Sequence, residues 1–436
     1  MRGLLIGAPA SGCGKTTITL GLIRALKNAG HKVVSAKAGP DYIDPKFHCA
    51  ASSGQCLNLD PWAMRAQTLH ALAGNLAQAG DMLIVEAMMG LFDGARDGSG
   101  TSADLAQTLG LPVVLVMDAA AQSHSIAAVA QGFANHREDC RIAGIILNRA
   151  GSSAHEKMLR DALAPSHIPV VGALPRDAAF SLPSRHLGLV QAGEHKDIEI
   201  FIEQVANSIS NNLDLELLVE LSRPVKDDSD AVPYIPLPPL GQKIAVARDI
   251  AFEFIYPHFL TNWRQAGAEI TFFSPLANEV PAPDSDAIFL PGGYPELHAG
   301  RLAGNQAFLN GLRQAAKSNV LIYGECGGYM VLGEALTDEH GRNHAMAGLL
   351  PVQTSFAERC LHLGYRKLEP CAGGTPWPQA LSAHEFHYAS ITMQDKSGPL
   401  FDAVDATGSP LGAIGHRRGS VMGSFAHIID YCPGIS

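Results

Sequence analysis

The chain has 436 residues, of which 47% are hydrophobic and 17% charged, which is the composition of a globular protein with room for two or three domains. Its formal net charge of −10 argues against a general nucleic-acid or anionic-membrane binder. The eight cysteines lack metal-ligand or disulfide-framework spacing, and no signal peptide or long apolar segment is visible, so we expect a cytoplasmic protein.

The first predicted element is a strand at residues 4–6, followed by a glycine-rich stretch and an amphipathic helix that ends near Gly30. This order is typical of a P-loop, although Pro9 replaces the first glycine and Ala10 replaces the extra lysine of partition-type ATPases. In such a loop the backbone N–H groups hold phosphates, Lys15 reaches the outer phosphates and Thr16 faces Mg²⁺. We therefore predict ATP binding by Ser11, Gly12, Gly14, Lys15, Thr16 and Thr17.

Acidic residues follow the next two predicted strands. The strand at 33–36 ends at Lys37, and the loop after it, up to Pro45, carries carboxylates that suit a metal or a substrate. A solvated turn is the alternative. The strand at 82–85 leads into Glu86, the usual position of a second Mg²⁺ contact. Asp93 is predicted to be either a loop cap or a substrate-facing group.

Apolar strands at 113–117, 142–147 and 170–174 alternate with helices such as 122–135, which indicates a parallel sheet covered on both faces. Asn148 follows one strand, where related ATPases place asparagine against adenine, and an ordinary loop role is the alternative. Arg185 and His186 lie in a stretch that could bind carboxylates or pack between domains. A proline-rich linker at 223–242 then separates residues 1–222 from residues 243–436.

A second α/β unit begins near residue 244, and its candidate nucleophile is Cys326. The strand at 320–323 stops at Gly324, and small residues on both sides of Cys326 suit a sharp turn from strand to helix. Such a turn lifts the sulfur above the sheet and aims the backbone N–H of Gly327 at an oxyanion. A structural cysteine at a tight turn is the alternative.

Two further stretches support catalysis at Cys326. Gly292 and Gly293 close the preceding predicted strand and could provide a second oxyanion donor, while His427 is available as a base. The motif from His384 to Tyr388 differs from a zincin motif because its histidines are three residues apart. On a strand they would point to opposite faces, so we expect a role near the domain interface rather than a zinc site.

Cys326, the Pro-Gly-Gly loop and His427 resemble a class I glutamine amidotransferase domain, which releases ammonia from glutamine for use at an acceptor site. The whole chain is similar to the cobyrinic and hydrogenobyrinic acid a,c-diamide synthases of cobalamin biosynthesis, which join this domain to an ATPase domain like dethiobiotin synthetase. The resemblance rests on the stretches Ser11 to Thr17, Lys37 to Pro45, Glu86 to Gly94, Arg185 to Leu189, Val246 to Phe252, Pro291 to Glu296, Gly324 to Met330 and His384 to Tyr388.

The resemblance implies that ATP phosphorylates the a and c acetate groups of a polycarboxylic corrinoid and that ammonia from glutamine then displaces phosphate. It also implies that Asp41, Tyr42 and Asp93 lie around the substrate or metal. We expect Mg²⁺ to be held by Thr16, Asp41 and Glu86, and substrate contacts to include Arg185 and His186. Broader class I enzymes carry glutamate two residues after the histidine, where this chain has Ile429, so the third member of the triad is not identified.

Several alternatives are open at this point. The overall similarity favours the metal-free hydrogenobyrinic acid, with cobalt-containing cobyrinic acid as the alternative substrate. Cobyric acid synthase, whose family members are longer in the C-terminal half, is a second alternative. A non-catalytic P-loop switch with a decayed glutaminase domain is a third, although the intact Cys326 and His427 count against it. We expect no nucleic-acid or membrane partner, and a homodimer is left open.

Overall fold

The computed structural model describes residues 1–177, 180, 184–185, 188–189, 197–227, 233–395 and 397–432. The chain forms two compact units. The first consists of Met1–Trp62 and Ala66–Tyr234, and the second of Ala63–Arg65 and Ile235–Ser436. Among the described residues, no helix is both long and apolar enough to cross a membrane.

The first unit is built on a parallel sheet with strand order β3-β2-β4-β1-β5-β6-β7. β2 and β4 are buried along their whole length, as a sheet covered on both faces requires. The elements are β1 (Arg2–Gly7), α1 (Lys15–Asn28), β2 (Val33–Ala38), α2 (Asp44–Ser52), β3 (Cys56–Leu59), α3 (Ala66–Ala77), β4 (Met82–Glu86), α4 (Ser102–Leu109), β5 (Val113–Asp118), α5 (Ser125–His136), β6 (Ile142–Ala150), α6 (Ser153–Leu163), β7 (Val170–Pro175), β8 (Ser184–Arg185), β9 (Gly188–Leu189), α7 (Ile198–Asn212), α8 (Leu215–Leu221) and β10 (Arg223–Pro224).

The register of the central strands brings their carboxyl ends together. Glu86 at the end of β4 lies beside Ile6 of β1 on one side and Lys37 of β2 on the other. Lys37 was predicted to end the strand, but β2 continues to Ala38. Arg223–Pro224, where the predicted linker begins, instead pairs antiparallel with β1.

The second unit contains a mainly parallel sheet with strand order β12-β11-β13-β14-β24-β23, in which only β23 pairs antiparallel. Its first elements are β11 (Lys243–Ala247), α9 (Pro257–Gln265), β12 (Glu269–Phe273), β13 (Ala287–Leu290), α10 (Ala299–Gly304), α11 (Gln306–Lys317), β14 (Leu321–Glu325) and α12 (Gly327–Leu332). The strand predicted before Gly292 and Gly293 is therefore present as β13.

The rest of the second unit consists mostly of strands, which the sequence analysis did not predict. One sheet has the order β16-β15-β17-β20, and an antiparallel sheet has the order β22-β21-β18-β19-β25. The elements are β15 (Ala335–Thr337), β16 (Asn343–Ala345), β17 (Val352–Ser355), β18 (His362–Pro370), β19 (Leu381–His387), β20 (Ser390–Gln394), β21 (Phe401–Asp405), β22 (Pro410–Ile414), β23 (His416–Arg418), β24 (Val421–Ser424) and β25 (His427–Tyr431).

Candidate active site

The glycine-rich loop of the first unit has the backbone expected of a phosphate cradle. Gly12 and Gly14 have φ angles of 81° and 91°, and α1 begins at Lys15 directly after them. The N–H groups of the first helical turn have no partners within the helix and are therefore available to an anion. Lys15 is buried, which lowers its pKa, and its Nζ donates to the Ala10 carbonyl over 3.3 Å. Ser11 and Gly12 are exposed, so the outer side of the loop is accessible.

A cavity of about 510 Å³ opens beside this loop. Asn148 lies on its wall, and its Nδ2 donates to the Cys13 carbonyl over 2.8 Å. The Thr17 hydroxyl donates to the Phe180 carbonyl over 3.2 Å. A cavity of this size is within the range of ordinary small-ligand sites. Its lining comprises Gly14, Thr17, Ile18, Ala120, Asn148, Arg149, Leu174, Pro175, Arg176, Asp177, Phe180, Val205 and Ser208.

A buried ionic cluster surrounds Glu86. Lys37 Nζ lies 2.7 Å from Glu86 Oε1 and 2.6 Å from Asp44 Oδ2. His48 Nε2 lies 2.6 Å from the other oxygen of Glu86, and the Thr16 hydroxyl donates to Oε1 over 2.6 Å. Each oxygen of Glu86 therefore has at least one polar partner, as a fully buried carboxylate needs.

Opposite charges keep both members of the central pair ionised. Burial alone would raise the pKa of Glu86, but Lys37 and then His48 hold it well below its ordinary value. Burial would likewise lower the pKa of Lys37, but Asp44 and Glu86 raise it above its ordinary value. Lys37 was predicted from the sequence only as one of the charged groups of a loop suited to metal or substrate binding, and His48 was not predicted. A lysine at the end of a buried strand was the available signal for Lys37, whereas His48 lies on α2 and nothing local marks it.

Oxygen donors suit Mg²⁺ in this part of the molecule. The hydroxyl of Thr16 and the carboxylate of Glu86 are adjacent, and hard cations prefer such oxygen ligands. Because Lys37 already contacts Glu86 Oε1, its charge also serves to hold that carboxylate in place. The residues present at Thr16 and Glu86 therefore fit the ion.

The other residues of the first unit that were predicted to bind metal or substrate differ in their burial and hydrogen bonding. Asp41 Oδ1 accepts from the Ile43 and Asp44 N–H groups at 2.8 and 3.1 Å, and burial, then the charge of Asp44, raises the pKa of Asp41 to about 7. Tyr42 is next to it and half-buried. Asp93 is exposed and caps its loop by accepting from the Gly90 N–H over 2.8 Å. Arg185 is in β8, but its side chain and His186 lie outside the described residues.

Replacing Lys15 or Glu86 tests the ATP site. We expect Lys15→Ala and Glu86→Ala to abolish amidation with either glutamine or ammonia as the nitrogen source, because both residues serve the ATP step, which precedes attack by nitrogen. Product formation with each nitrogen source is the measurement. Normal ammonia-dependent amidation in either variant would place the ATP site elsewhere.

Removing Lys37 tests the ionic cluster as a structural feature. We expect Lys37→Met to lower the free energy of unfolding by about 3–5 kcal/mol, because it leaves Glu86 buried without its main counter-charge. Urea unfolding at neutral pH measures this loss. The exposed pair of Lys243 and Asp284 supplies the control, and Lys243→Met should leave the transition almost unchanged. A Lys37→Met variant as stable as the wild type would contradict this account.

The second unit places Cys326 at a sharp turn between β14 and α12. Cys326 has φ 46° and ψ −103°, a left-handed conformation that is costly for a residue with a side chain. Two backbone hydrogen bonds hold the turn: Cys326 N–H donates to Ser424 O over 2.8 Å, and Gly328 N–H donates to Pro291 O over 3.1 Å. The predicted turn is therefore present, and its strain is concentrated at the nucleophile.

The loop at Gly292 brings the predicted nucleophile and base together. A Cβ atom on Gly292 would lie 2.3 Å from His427 Cε1, 3.1 Å from His427 Nε2 and 3.3 Å from Cys326 Cβ. A side chain at this position would therefore displace the imidazole. Although Cys326 and His427 are about a hundred residues apart in sequence, both border the space that Gly292 leaves open.

The predicted oxyanion donors are also adjacent. A Cβ atom on Gly327 would lie 3.1 Å from the backbone nitrogen of Gly293 and 2.8 Å from Pro295 Cδ. Gly327 is the first residue of α12, so its N–H is one of the unpaired donors at a helix start. The backbone nitrogen of Gly293 thus lies near Gly327, directly after Cys326, which supports the prediction that both belong to one oxyanion hole.

Burial keeps the resting site uncharged. It raises the pKa of the Cys326 thiol well above its ordinary value, and the charge of Glu296 adds to this effect, while the Gly327 N–H opposes it. Burial also lowers the pKa of His427 to about 3. The thiol and the imidazole are therefore both uncharged in the resting site.

Glu325, directly before the nucleophile, is a residue that the sequence analysis missed. It is buried, and its Oε2 lies 3.8 Å from His427 Nδ1. An acidic residue at the end of an otherwise apolar strand was the available signal. In broader class I enzymes the acid follows the histidine on the same strand, whereas Glu325 lies near His427 from a different strand.

The motif at 384–388 forms part of β19 next to the same histidine. His384 lies directly opposite His427 in the pairing of β19 with β25. Side-chain donors of His362, Glu385 and His387 lie within 4.8 Å of one another, a grouping that could hold a metal ion. However, Arg366 Nε already donates to Glu385 over 2.7 Å, so the carboxylate is neutralised without one.

The chain matches two protein-family models in the expected order. Residues 4–190 match the CobQ/CobB/MinD/ParA nucleotide binding domain, and residues 243–430 match the CobB/CobQ-like glutamine amidotransferase domain. A hydrogenobyrinate a,c-diamide synthase of Brucella anthropi is 60% identical over 99% of both chains. The chain belongs to this synthase family.

Other members of the family are similar over the same length. The hydrogenobyrinate a,c-diamide synthases of Brucella abortus and Rhizobium meliloti are 58% and 54% identical, and each alignment covers 99% of this chain and at least 99% of the relative. A solved glutamine amidotransferase from Thermotoga maritima covers 42% of this chain and 75% of its own, with 15% identity and a TM-score of 0.30, which is too low to support an argument.

The family match confirms several predictions made from the sequence. These are the family resemblance, the pairing of a P-loop α/β domain with a class I glutaminase domain, and the function of an ATP- and glutamine-dependent ligase. The roles of individual residues and the domain boundaries stay predictions, to which the geometry above gives support.

Proposed function

We propose that this chain converts hydrogenobyrinic acid into its a,c-diamide, using ATP to activate two acetate carboxylates and glutamine as the source of nitrogen. The observation that carries the proposal is full-length similarity to synthases of that name. Cobalt-containing cobyrinic acid is the alternative substrate.

The first unit activates the carboxylate. A carboxylate does not react with ammonia until one of its oxygens becomes a leaving group, and phosphorylation supplies one. The P-loop N–H groups and Lys15 hold the transferred phosphoryl group, while Asn148 faces the nucleotide cavity. Mg²⁺ held by Thr16 and Glu86 would neutralise charge on the outer phosphates. Lys37 and His48 keep Glu86 ionised for this task.

The second unit hydrolyses glutamine. As Cys326 Sγ attacks the carboxamide carbon, its proton moves to His427 Nε2, and the carbonyl oxygen becomes an oxyanion that accepts from Gly293 and Gly327. Collapse of this intermediate breaks the carbon–nitrogen bond, and His427 gives its proton to the departing ammonia. Water then attacks the thioester, with His427 again as the base, and glutamate leaves.

Coupling of the two reactions protects both reactants. Ammonia in water near neutral pH is mostly ammonium, which is not nucleophilic, and an acyl phosphate exposed to water hydrolyses. Release of ammonia where the acyl phosphate is sheltered from water avoids both losses. We assign Asp41, Tyr42, Asp93, Arg185 and His186 to the substrate side of this reaction.

All eight cysteines are free thiols, which fits our proposal of a cytoplasmic location.

Substitution of Asp41 and Asp93 tests the acceptor site. We expect Asp41→Asn and Asp93→Asn to slow amidation about tenfold or more while leaving the affinity for ATP within a few-fold, because both residues lie in loops at the carboxyl edge of the sheet. Initial rates and nucleotide titration are the measurements. If ATP binding is lost instead, these residues are metal ligands and their assigned role is wrong.

A single-atom change at Cys326 tests the division of labour. We expect Cys326→Ser to produce no amide from glutamine yet to form the diamide from a high concentration of ammonium salt at mildly alkaline pH, where more ammonia is neutral. A serine hydroxyl is a far weaker nucleophile than a thiolate in the same place. Product mass spectrometry with each nitrogen source gives the answer.

His427→Ala is the matched variant for this experiment and should show the same separation. A Cys326→Ser protein that folds and binds ATP but forms no amide from ammonia would contradict the proposal. Cys326 would then take part in the synthetase step.

A further inference from the structure

The two ring nitrogens of His427 face different partners. Nε2 lies on the side of Gly292 and Cys326, as the contacts of a Cβ atom on Gly292 show. Nδ1 lies 3.8 Å from Glu325 Oε2. This is the arrangement of a catalytic histidine between a nucleophile and an acid. The acid here comes from the residue directly before the nucleophile.

Glu325 is held in this position by the strand that carries the histidine. Its Oε1 accepts the N–H of Ile428, the neighbour of His427, over 3.2 Å. Glu325 is also paired with Ser424 where β14 runs parallel to β24. Both Glu325 and His427 are almost completely buried, at 2% and 1% exposure, so water cannot easily replace the contact between them.

Ile429 occupies the position two residues after the histidine where broader class I enzymes carry glutamate. An acid that orients His427 must therefore come from another part of this chain. Ile429 is two residues after His427 on β25 and therefore on the same side of that strand, but it is apolar and buried. Any carboxylate that orients His427 must then reach it from another strand, and β14 ends at that place.

We propose that Glu325 is the third member of the glutaminase triad, a positioning residue that accepts the Nδ1–H of His427 and thereby directs Nε2 toward Cys326. The separation of 3.8 Å must shorten by less than 1 Å to become a hydrogen bond. Catalytic hydrogen bonds often reach their final length only when substrate is bound. The assignment rests on the glutaminase role of this unit and not on the identity of the corrinoid.

Proton positions follow from this arrangement. With Nδ1–H donated to Glu325, Nε2 carries a lone pair and accepts the thiol proton while the sulfur bonds to the carboxamide carbon. The imidazolium that forms is stabilised by an ionised Glu325, which itself takes no proton in the cycle. The proton then passes from Nε2 to the departing nitrogen, and Nδ1–H is unchanged throughout.

The charge of Glu325 should give the reaction a characteristic dependence on pH. Burial raises the pKa of Glu325 to about 8, so the ionised form increases as pH rises through that value. The other groups that act on His427 or Cys326 are His384, Glu385 and His387 from β19 and Glu296 from the loop before α10, while Tyr323 lies two residues before Glu325. We expect glutaminase kcat/KM to increase between about pH 7 and 9 as Glu325 ionises.

Glu325→Gln tests the assignment, because glutamine keeps the size of the side chain and an oxygen for the Ile428 N–H but removes the charge. Its amide would also favour the wrong tautomer of His427. We expect kcat for glutamate release, measured without corrinoid or ATP, to fall about a hundredfold or more and the rise in kcat/KM between about pH 7 and 9 to disappear. Ammonia-dependent amidation should stay within twofold of wild type.

Glu334→Gln is the matched control, because Glu334 is an exposed glutamate of the same unit that contacts Gln353. It should behave as the wild type. Glutaminase activity of Glu325→Gln within threefold of wild type would overturn the assignment. Parallel loss of ammonia-dependent amidation would also overturn it, because the substitution would then have disturbed the structure generally.

A measurement on the wild-type protein tests the role of Glu325 without depending on whether the Glu325→Gln variant folds. ¹⁵N NMR of histidine-labelled wild-type protein reports which nitrogen of His427 carries the proton, with His427→Ala used to assign the signal. We expect the Nδ1–H tautomer above about pH 9, where Glu325 is ionised. The Nε2–H tautomer would overturn the proposal, because that nitrogen could not then accept the thiol proton.

Discussion

The ATP-binding unit depends on the neutralisation of one carboxylate, that of Glu86. This side chain lies at the carboxyl edge of a fully buried strand, where an unpaired charge would cost several kcal/mol. Lys37 from the neighbouring strand, His48 from α2 and Thr16 from the first turn of α1 all contact it. The same contacts therefore connect the first turn of α1 to the centre of the sheet and hold in place the carboxylate that we propose as an Mg²⁺ ligand.

The glutaminase unit has a different requirement. It must hold a reactive cysteine in position and prevent it from reacting before substrate binds. The strained turn presents the sulfur, but burial and nearby carboxylates keep it protonated, and burial keeps His427 neutral. A neutral pair costs less to bury than a thiolate and an imidazolium. In the proposed mechanism, charge separation is confined to the moment of attack, when the proposed oxyanion donors and Glu325 would stabilise it.

Local sequence patterns predicted much of this structure because the relevant signals are short in range. The P-loop, the apolar strands and the glycine-flanked cysteine each combine a few adjacent residues whose types follow from backbone geometry. The contacts of Lys37, His48 and Glu325 instead depend on strand register and on residues far apart in sequence. The antiparallel strands between residues 335 and 431 were missed for a related reason, since their pairing joins segments that are distant in sequence.

We propose that this one chain activates two carboxylates of a metal-free corrinoid and amidates both with nitrogen from glutamine. The most direct measurement is the mass of the product after incubation with hydrogenobyrinic acid, ATP and glutamine labelled with ¹⁵N in its amide, alongside a parallel incubation with cobyrinic acid. We expect a diamide of hydrogenobyrinic acid that contains two ¹⁵N atoms. A product formed from cobyrinic acid alone, or one with its two amides at other side chains of the ring, would contradict it.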